Sequence, residues 1–223
     1  MIITAIERQH KRRGRIKVCV DGDLRFDISS AIARAHGLRV GGELDALNIE
    51  AIVALDARRA AMQVATSMLA RRPHSEREVR RRLVIRRLDR ALIDETIAKL
   101  KSARLIDDAE FARTWVDSRD RCSPRGQRLI ASELRALGVD LSTASSAVAE
   151  VSDEDAAYRL ASKRVRALKQ LDYRAFREKL GAQLQRKGFA WDISRATVAR
   201  CWSELGRSAE GDPGFDDLGD PIE

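Results

Sequence analysis

Along the first 47 residues the apolar positions recur at every second place. Ile16, Val18 and Val20 alternate with Lys17 and Cys19, and Leu24, Phe26 and Ile28 alternate with Arg25 and Asp27; this is the period of half-buried strands. Between the two runs, Asp21-Gly22-Asp23 supplies a glycine able to take the positive φ of a tight hairpin turn. With Ile2 to Ile6 as a third strand, residues 1–47 read as a small β element with a short helix from Ser29 or Ser30 to about His36, closed by Gly37. So small a sheet needs a helical body for stability.

From about Asn48 the period becomes helical, and it repeats in units of about 50 residues. The first unit carries Ala65, Arg72, Leu83, Leu88, Ile97 and Leu100. The second carries Ala112, Arg119, Leu134, Val139, Val148 and Val151, and the third Ala157, Arg164, Leu184, Phe189, Val198 and Cys201. In all three, Ala to Arg is seven residues, and Leu to the later apolar positions is five, fourteen and seventeen; only the linker between the halves varies, from eleven to fifteen to twenty. The pattern predicts repeats over 48–104, 105–152 and 153–206, each of three helices. Such units cannot bury their apolar faces alone, so they are expected to stack into an elongated, curved array. The fold class expected is mainly α.

Local signals support the helices. Asp107-Asp108-Ala109-Glu110 reads as a capping-box start before Phe111, Trp115 and Val116. Ser123-Pro124 reads as an N-cap with proline at the first helical position, leading to Ile130, Leu134 and Leu137 on one face and to Gly138 at the left-handed end. Asp172 caps a helix bearing Tyr173, Phe176, Leu180 and Leu184, and Gly188 closes it. These apolar stripes are core, not a cofactor box.

Composition agrees with a helical reading. Of 223 residues 44% are hydrophobic and only 4% aromatic, with 13 Gly and 4 Pro, too few turn and β-favouring residues for a large sandwich. No apolar run approaches the ~20 residues that cross a bilayer, and Met1 to Glu7 lacks signal-peptide order, so a cytosolic chain without a membrane partner is expected. Cys19, Cys122 and Cys201 stand too far apart for a disulfide framework and are read as reduced. His10, His36 and His74 have no zinc spacing, and no P-loop, GxGxxG or nucleophile–base combination has local support. Asp107 and Asp108 fit helix caps better than acid/base groups. No metal, no cofactor and no enzymatic activity are expected.

Charge adds a functional hint. The net charge is +8, but Ser208 to Glu223 holds six carboxylates and no Lys or Arg, so residues 1–207 carry +14. A body this basic attracts polyanions, nucleic acid foremost, whereas residues 207–223 read as an acidic disordered tail. Of the 42 basic residues 34 are Arg, which a biased genome also produces without any ligand.

The residues also carry a family resemblance. Leu105-Ile106-Asp107-Asp108-Ala109-Glu110-Phe111-Ala112, the preceding Arg72-x-x-Ser75-x-x-Glu78-Val79-x-x-x-Leu83, Arg119 followed by Gly126-x-x-x-Ile130-x-x-Glu133-Leu134-x-x-x-Gly138, and Leu184-x-x-x-Gly188-Phe189 together resemble the RecX family of recombinase regulators. The likeness covers about residues 60–205, and the N-terminal hairpin resembles an extension of longer members. It implies an all-helical repeat protein that binds the RecA filament on single-stranded DNA, limits its ATP hydrolysis and strand exchange in recombination and DNA repair, and performs no covalent chemistry. Two positions depart from the family pattern: Arg104 stands where Gly is expected, and Arg87 where the other repeats have Gly138 and Gly188. Both substitutions argue against sharp left-handed helix ends there.

Candidate contact residues come from the basic faces. Residues 71–90 hold nine Arg against Glu76, Glu78 and Asp89. With Val79 and Leu83 inward on a helix, Arg77 and Arg81 point away from the core, Arg80 and Arg87 to one side, and Arg82 and Arg86 near its edge. The same construction around Ile130 and Leu134 turns Arg125, Arg128 and Arg135 outward. Either these arginines grip phosphates or acidic recombinase side chains, or they form a solvated face. The partners expected are a RecA-type filament and single-stranded DNA, with the chain a monomer; the competing reading is a nucleic-acid-binding helical scaffold without a recombinase.

Overall fold

The alternating N-terminal segment forms three antiparallel strands in sequence order, β1 (Ile3–Arg8), β2 (Arg15–Val20) and β3 (Asp23–Ser29), in the computed structural model, which describes residues 1–10 and 12–206. Val20 pairs with Asp23, so Asp21-Gly22 is a two-residue hairpin loop, and both loop residues have positive φ, 52° and 90°. That is the primed-turn geometry whose twist matches the strands. Helix α1 (Ser30–Ala35) follows directly, its first turn capped by the Ser29 hydroxyl, which accepts from Ile32 N.

The sheet does lean on the helical body. Helix α2 (Ala46–Leu69) sends Ile52 into a cluster with Ile3, Val18, Val20, Ile28 and Ile32. It also sends Asp56, which is 5% exposed, to accept from Ser29 N at 2.9 Å and to pair with Arg15 at 3.0 Å. Arg15 in turn holds Asp27 on β3. Burial pushes the Asp27 carboxyl up, yet hydrogen bonds from Gln9 and Arg15 outweigh it and leave the pKa below the usual range.

Helices α3 (Glu76–Ile85) and α4 (Arg90–Ser102) complete the first three-helix set with α2, burying Ala61, Ala65, Val79, Leu83, Ile97 and Leu100. The second set is α5 (Asp108–Cys122), α6 (Gln127–Ala136) and α7 (Leu141–Val148). The third is α8 (Asp153–Leu168), α9 (Tyr173–Arg186) and α10 (Trp191–Glu204). Phe111, Ile130, Leu134 and Val148 form one core, and Phe176, Leu180, Leu184, Val198 and Trp202 another. Spatially the described residues divide into two units, one of Met1–His74 and Val79–Leu105, the other of Ser75–Glu78 and residues 106–206.

Leu83, Leu134 and Leu184 are fully buried in their respective repeats. The five-residue step that follows each has a physical cause: Leu88 N donates to Leu83 O, Val139 N to Leu134 O and Phe189 N to Leu184 O. This is the long hydrogen bond of a Schellman helix end, which brings two apolar side chains together. The residue between must be left-handed, and φ is 96° at Gly138 and 84° at Gly188. Arg87 and Arg104 take the same conformation, at 58° and 54°, so the doubt cast by their side chains is overturned. The hydrogen bonds and buried leucines outweigh the Cβ penalty of roughly 1–2 kcal/mol.

Two start signals are corrected. Helix α6 begins at Gln127 with Gly126 as its cap, whereas Ser123 closes α5, because contacts with the third repeat, described below, set the start. Asp107 caps α5 as expected, accepting from Ala109 N and Glu110 N, but the Glu110 carboxylate goes to Arg113. Asp172 caps α9 through Ala175 N. The acidic segment 207–223 lies outside the described residues. Among the described residues no helix is long and apolar enough to cross a membrane.

Candidate partner-binding surfaces

The motif Ser75-x-x-Glu78 is a closed capping box: Glu78 N donates to Ser75 Oγ and Ser75 N to the Glu78 carboxylate, both at 3.2 Å. The same start is gripped by the second repeat. Ser75 Oγ donates to Leu137 O at 2.6 Å, the carbonyl at the end of α6, and Glu76 N donates to the Asp108 carboxylate at 2.8 Å. One repeat later the arrangement recurs in register. Gly126 N donates to Lys187 O at the end of α9 (2.9 Å), and Gln127 N to the Asp153 carboxylate (2.8 Å). A Cβ on Gly126 would stand 2.2 Å from Gly188 O, and one on Gly138 2.3 Å from the Arg77 side chain. Burial raises the Asp153 pKa even though Gln127 N donates to it.

The helices that start at these points, α3 and α6, carry most of the predicted arginines. Arg77 and Arg81 on α3 are exposed, and Arg87 is exposed on the left-handed turn beyond that helix. Arg128 and Arg135 on α6 are exposed as well. Arg80 departs from expectation, being half-buried and paired with Asp94 of α4. So does Arg125, whose guanidinium pairs with Glu133 and whose Nε is buried without a hydrogen-bond partner. It precedes α6, so the helical angle assigned to it from Ile130 and Leu134 does not apply.

Glu133 is a hub. Its carboxylate accepts from Trp115 Nε1 at 3.0 Å and Arg119 Nε at 2.8 Å besides pairing with Arg125, and Arg119 stacks 4.2 Å over the Trp115 ring. These groups close the space between α5 and α6 with two guanidinium cations on one carboxylate.

In the first repeat Arg82 stands at the position of Glu133. Between α2 and α3 lies an open groove of about 800 Å³, floored by Val64 and Met68 and rimmed by Arg71, Arg82 and Arg86. Among the described residues these three arginines form no ion pair. Helical angles put Arg82 and Arg86 near the core edge, whereas both are exposed. The signal that finds them is the repeat register: Arg82 precedes Leu83 as Glu133 precedes Leu134. No group of three or more His, Cys, Asp and Glu among the described residues could hold a metal ion.

Comparison with known proteins follows the same division. Family models described as the first, second and third three-helix domains of RecX match residues 61–100, 107–148 and 152–198. The chain is 30% identical over 200 residues to regulatory protein RecX of Bacillus subtilis, covering 88% of this chain and 75% of that one. To regulatory protein RecX of Leuconostoc mesenteroides it is 29% identical over 205 residues, 91% of this chain and 76% of the other. A crystal structure of regulatory protein RecX superposes with a TM-score of 0.61 at 25% identity, covering 88% of this chain and 98% of that chain. That of RecX from Lactobacillus salivarius gives 0.60 at 25% identity, over 66% and 97%.

Proposed function

We propose that this chain, which belongs to the RecX family of regulatory proteins, binds RecA-type recombinase filaments on single-stranded DNA. Bound there, it inhibits their ATP hydrolysis and strand exchange and performs no covalent chemistry of its own. The observation that carries this reading is the recurrence of exposed arginine on the second helix of successive repeats, Arg77 and Arg81 on α3 and Arg128 and Arg135 on α6. A filament offers the same acidic and phosphate groups at regular intervals, and a repeat protein can meet it with cations on each repeat; in register Arg77 and Arg128 are equivalent, while Arg81 and Arg135 stand at different positions of their helices. Arg87 belongs to the same set; Arg80 and Arg125 enter it only by breaking their pairs with Asp94 and Glu133.

The test is ATP hydrolysis by preformed recombinase filaments as the chain is titrated in. Substoichiometric inhibition is expected, and Arg77→Glu, Arg81→Glu, Arg128→Glu and Arg135→Glu combined should abolish it while leaving the helical circular dichroism spectrum unchanged. If the combined variant also loses affinity for bare single-stranded DNA, and the salt slope falls by roughly 0.7 per lost contact, the cations meet phosphates. If bare-DNA affinity stays, they meet acidic side chains. Tight DNA binding with no effect on the filament at any ratio would replace this reading with that of a nucleic-acid-binding scaffold, which the +14 charge of residues 1–207 favours.

A further inference from the structure

In repeat register, Met68, Arg72, His74 and Arg82 of the first repeat stand where the second has Trp115, Arg119, Arg125 and Glu133. The second set is closed by its own carboxylate. In the first, the carboxylate's place is taken by Arg82 and the large Trp115 ring by the slimmer Met68, and the groove of about 800 Å³ stays open. From this substitution we infer that the α2–α3 groove of the first repeat is a docking site for an acidic segment of a protein partner. One partner carboxylate takes the place that Glu133 fills in the second repeat, held among Arg71, Arg82 and Arg86, and an adjacent apolar side chain rests on Val64 and Met68.

The lining selects this occupant over a nucleic acid. It contains no Phe, Tyr or Trp on which a base could stack. The residues that α2 contributes, Gln63, Val64 and Met68 among them, are uncharged, and the lining arginines stand at positions 71, 72, 82 and 86, beyond that helix. Guanidinium forks pair bidentately with carboxylates, and the apolar floor gives an Asp- or Glu-bearing peptide an area that a phosphodiester does not use. The inference holds whether or not the partner is a recombinase.

Fluorescence anisotropy on the full chain tests it, with a fluorescein-labelled peptide of repeated Glu-Leu-Glu as probe and its Gln-Leu-Gln counterpart as control. The acidic peptide should bind, the neutral one should not, and added salt should weaken the complex because the groove is open to solvent. Arg82→Glu, which restores the carboxylate of the second repeat, should weaken binding by roughly tenfold or more, whereas Arg174→Glu on the exposed side of α9 should leave it unchanged. If Arg82→Glu loses its helical spectrum, Arg71→Gln with Arg86→Gln takes its place and should weaken binding in the same direction. Equal binding of both peptides, or an affinity indifferent to these substitutions, overturns the proposal. So does oligothymidylate that displaces the peptide and loses affinity by the same factor in the groove variants, which would make the groove a phosphate site. No recombinase enters the assay, so its failure and a failure to inhibit the filament are separate results.

Discussion

Arg87 and Arg104 sit in a conformation that a glycine adopts without penalty, at φ of 58° and 54°. The arginine side chains put the left-handed turn in doubt at both positions, since a side chain's preference can be read at its own position but the strength of a buried leucine four residues earlier, Leu83 or Leu100, cannot. Arg87→Gly should therefore stabilise the chain by about 1 kcal/mol, raising the thermal midpoint, with Arg104→Gly acting alike and nearly additively; a lowered midpoint in both would mean that the guanidiniums make compensating contacts. The opposite behaviour belongs to Glu133. Removing it leaves Arg119 and Arg125, each about one quarter exposed, beside one another with no acid between them. Glu133→Ala should cost about 3 kcal/mol, visible as a lowered denaturant midpoint, and Glu133→Gln less, because Gln still accepts from Trp115. Helical angles alone turned Arg125 outward, and the misreading arose because it precedes the helix whose periodicity was used to place it.

Elements were largely legible because the repeat intervals are backbone facts in disguise. The seven-residue step keeps Ala and Arg on one helix in the second and third repeats, α5 and α8, whereas Arg72 lies just beyond the end of α2; the five-residue step is the Schellman hydrogen bond seen in all three repeats. Helix starts set by another repeat were not legible, since Gly126 takes its position from Lys187 and Asp153, more than twenty residues away. Two glycines separate these influences. Gly126→Ala forces a Cβ to 2.2 Å from the Gly188 carbonyl oxygen and should cost about 2 kcal/mol or more, as overpacking against unyielding backbone does. Gly181, inside α9, has open space where its Cβ would be, so Gly181→Ala should stabilise by about 0.5–1 kcal/mol. Urea melts of the two variants should move in opposite directions; a shared direction would mean that the joint yields.

For the whole molecule, residues 1–207 carry +14 and Ser208 to Glu223 six carboxylates, and on the proposed reading this balance sets how strongly polyanions are held. Ending the chain after Arg207 should strengthen binding to single-stranded DNA most at low salt, where screening is weakest. Unchanged binding at ~50 mM salt, where the Debye length exceeds 10 Å, would show that the segment does not compete. Composition alone gives the charge balance on which the polyanion expectation rests, while the groove of the first repeat emerges only when Arg82 is compared, in register, with Glu133.

The repeat joints carry a direction that matters while the chain is being made. Ser75 and Glu76 depend on Leu137 and Asp108, and Gly126 and Gln127 on Lys187 and Asp153; in both joints the groups that complete a helix start are translated later than the helix itself. The first two repeats should therefore emerge from the ribosome with these contacts unmade, and the contacts should be completed backward toward the N-terminus as the next repeat emerges. The third repeat needs no successor at this point, because Asp172 caps α9 from within. Chains stalled before Asp153 should show rapid amide exchange at the start of α6, and chains carried past Lys187 should protect it; equal protection in both would mean that the second repeat closes without waiting for the third.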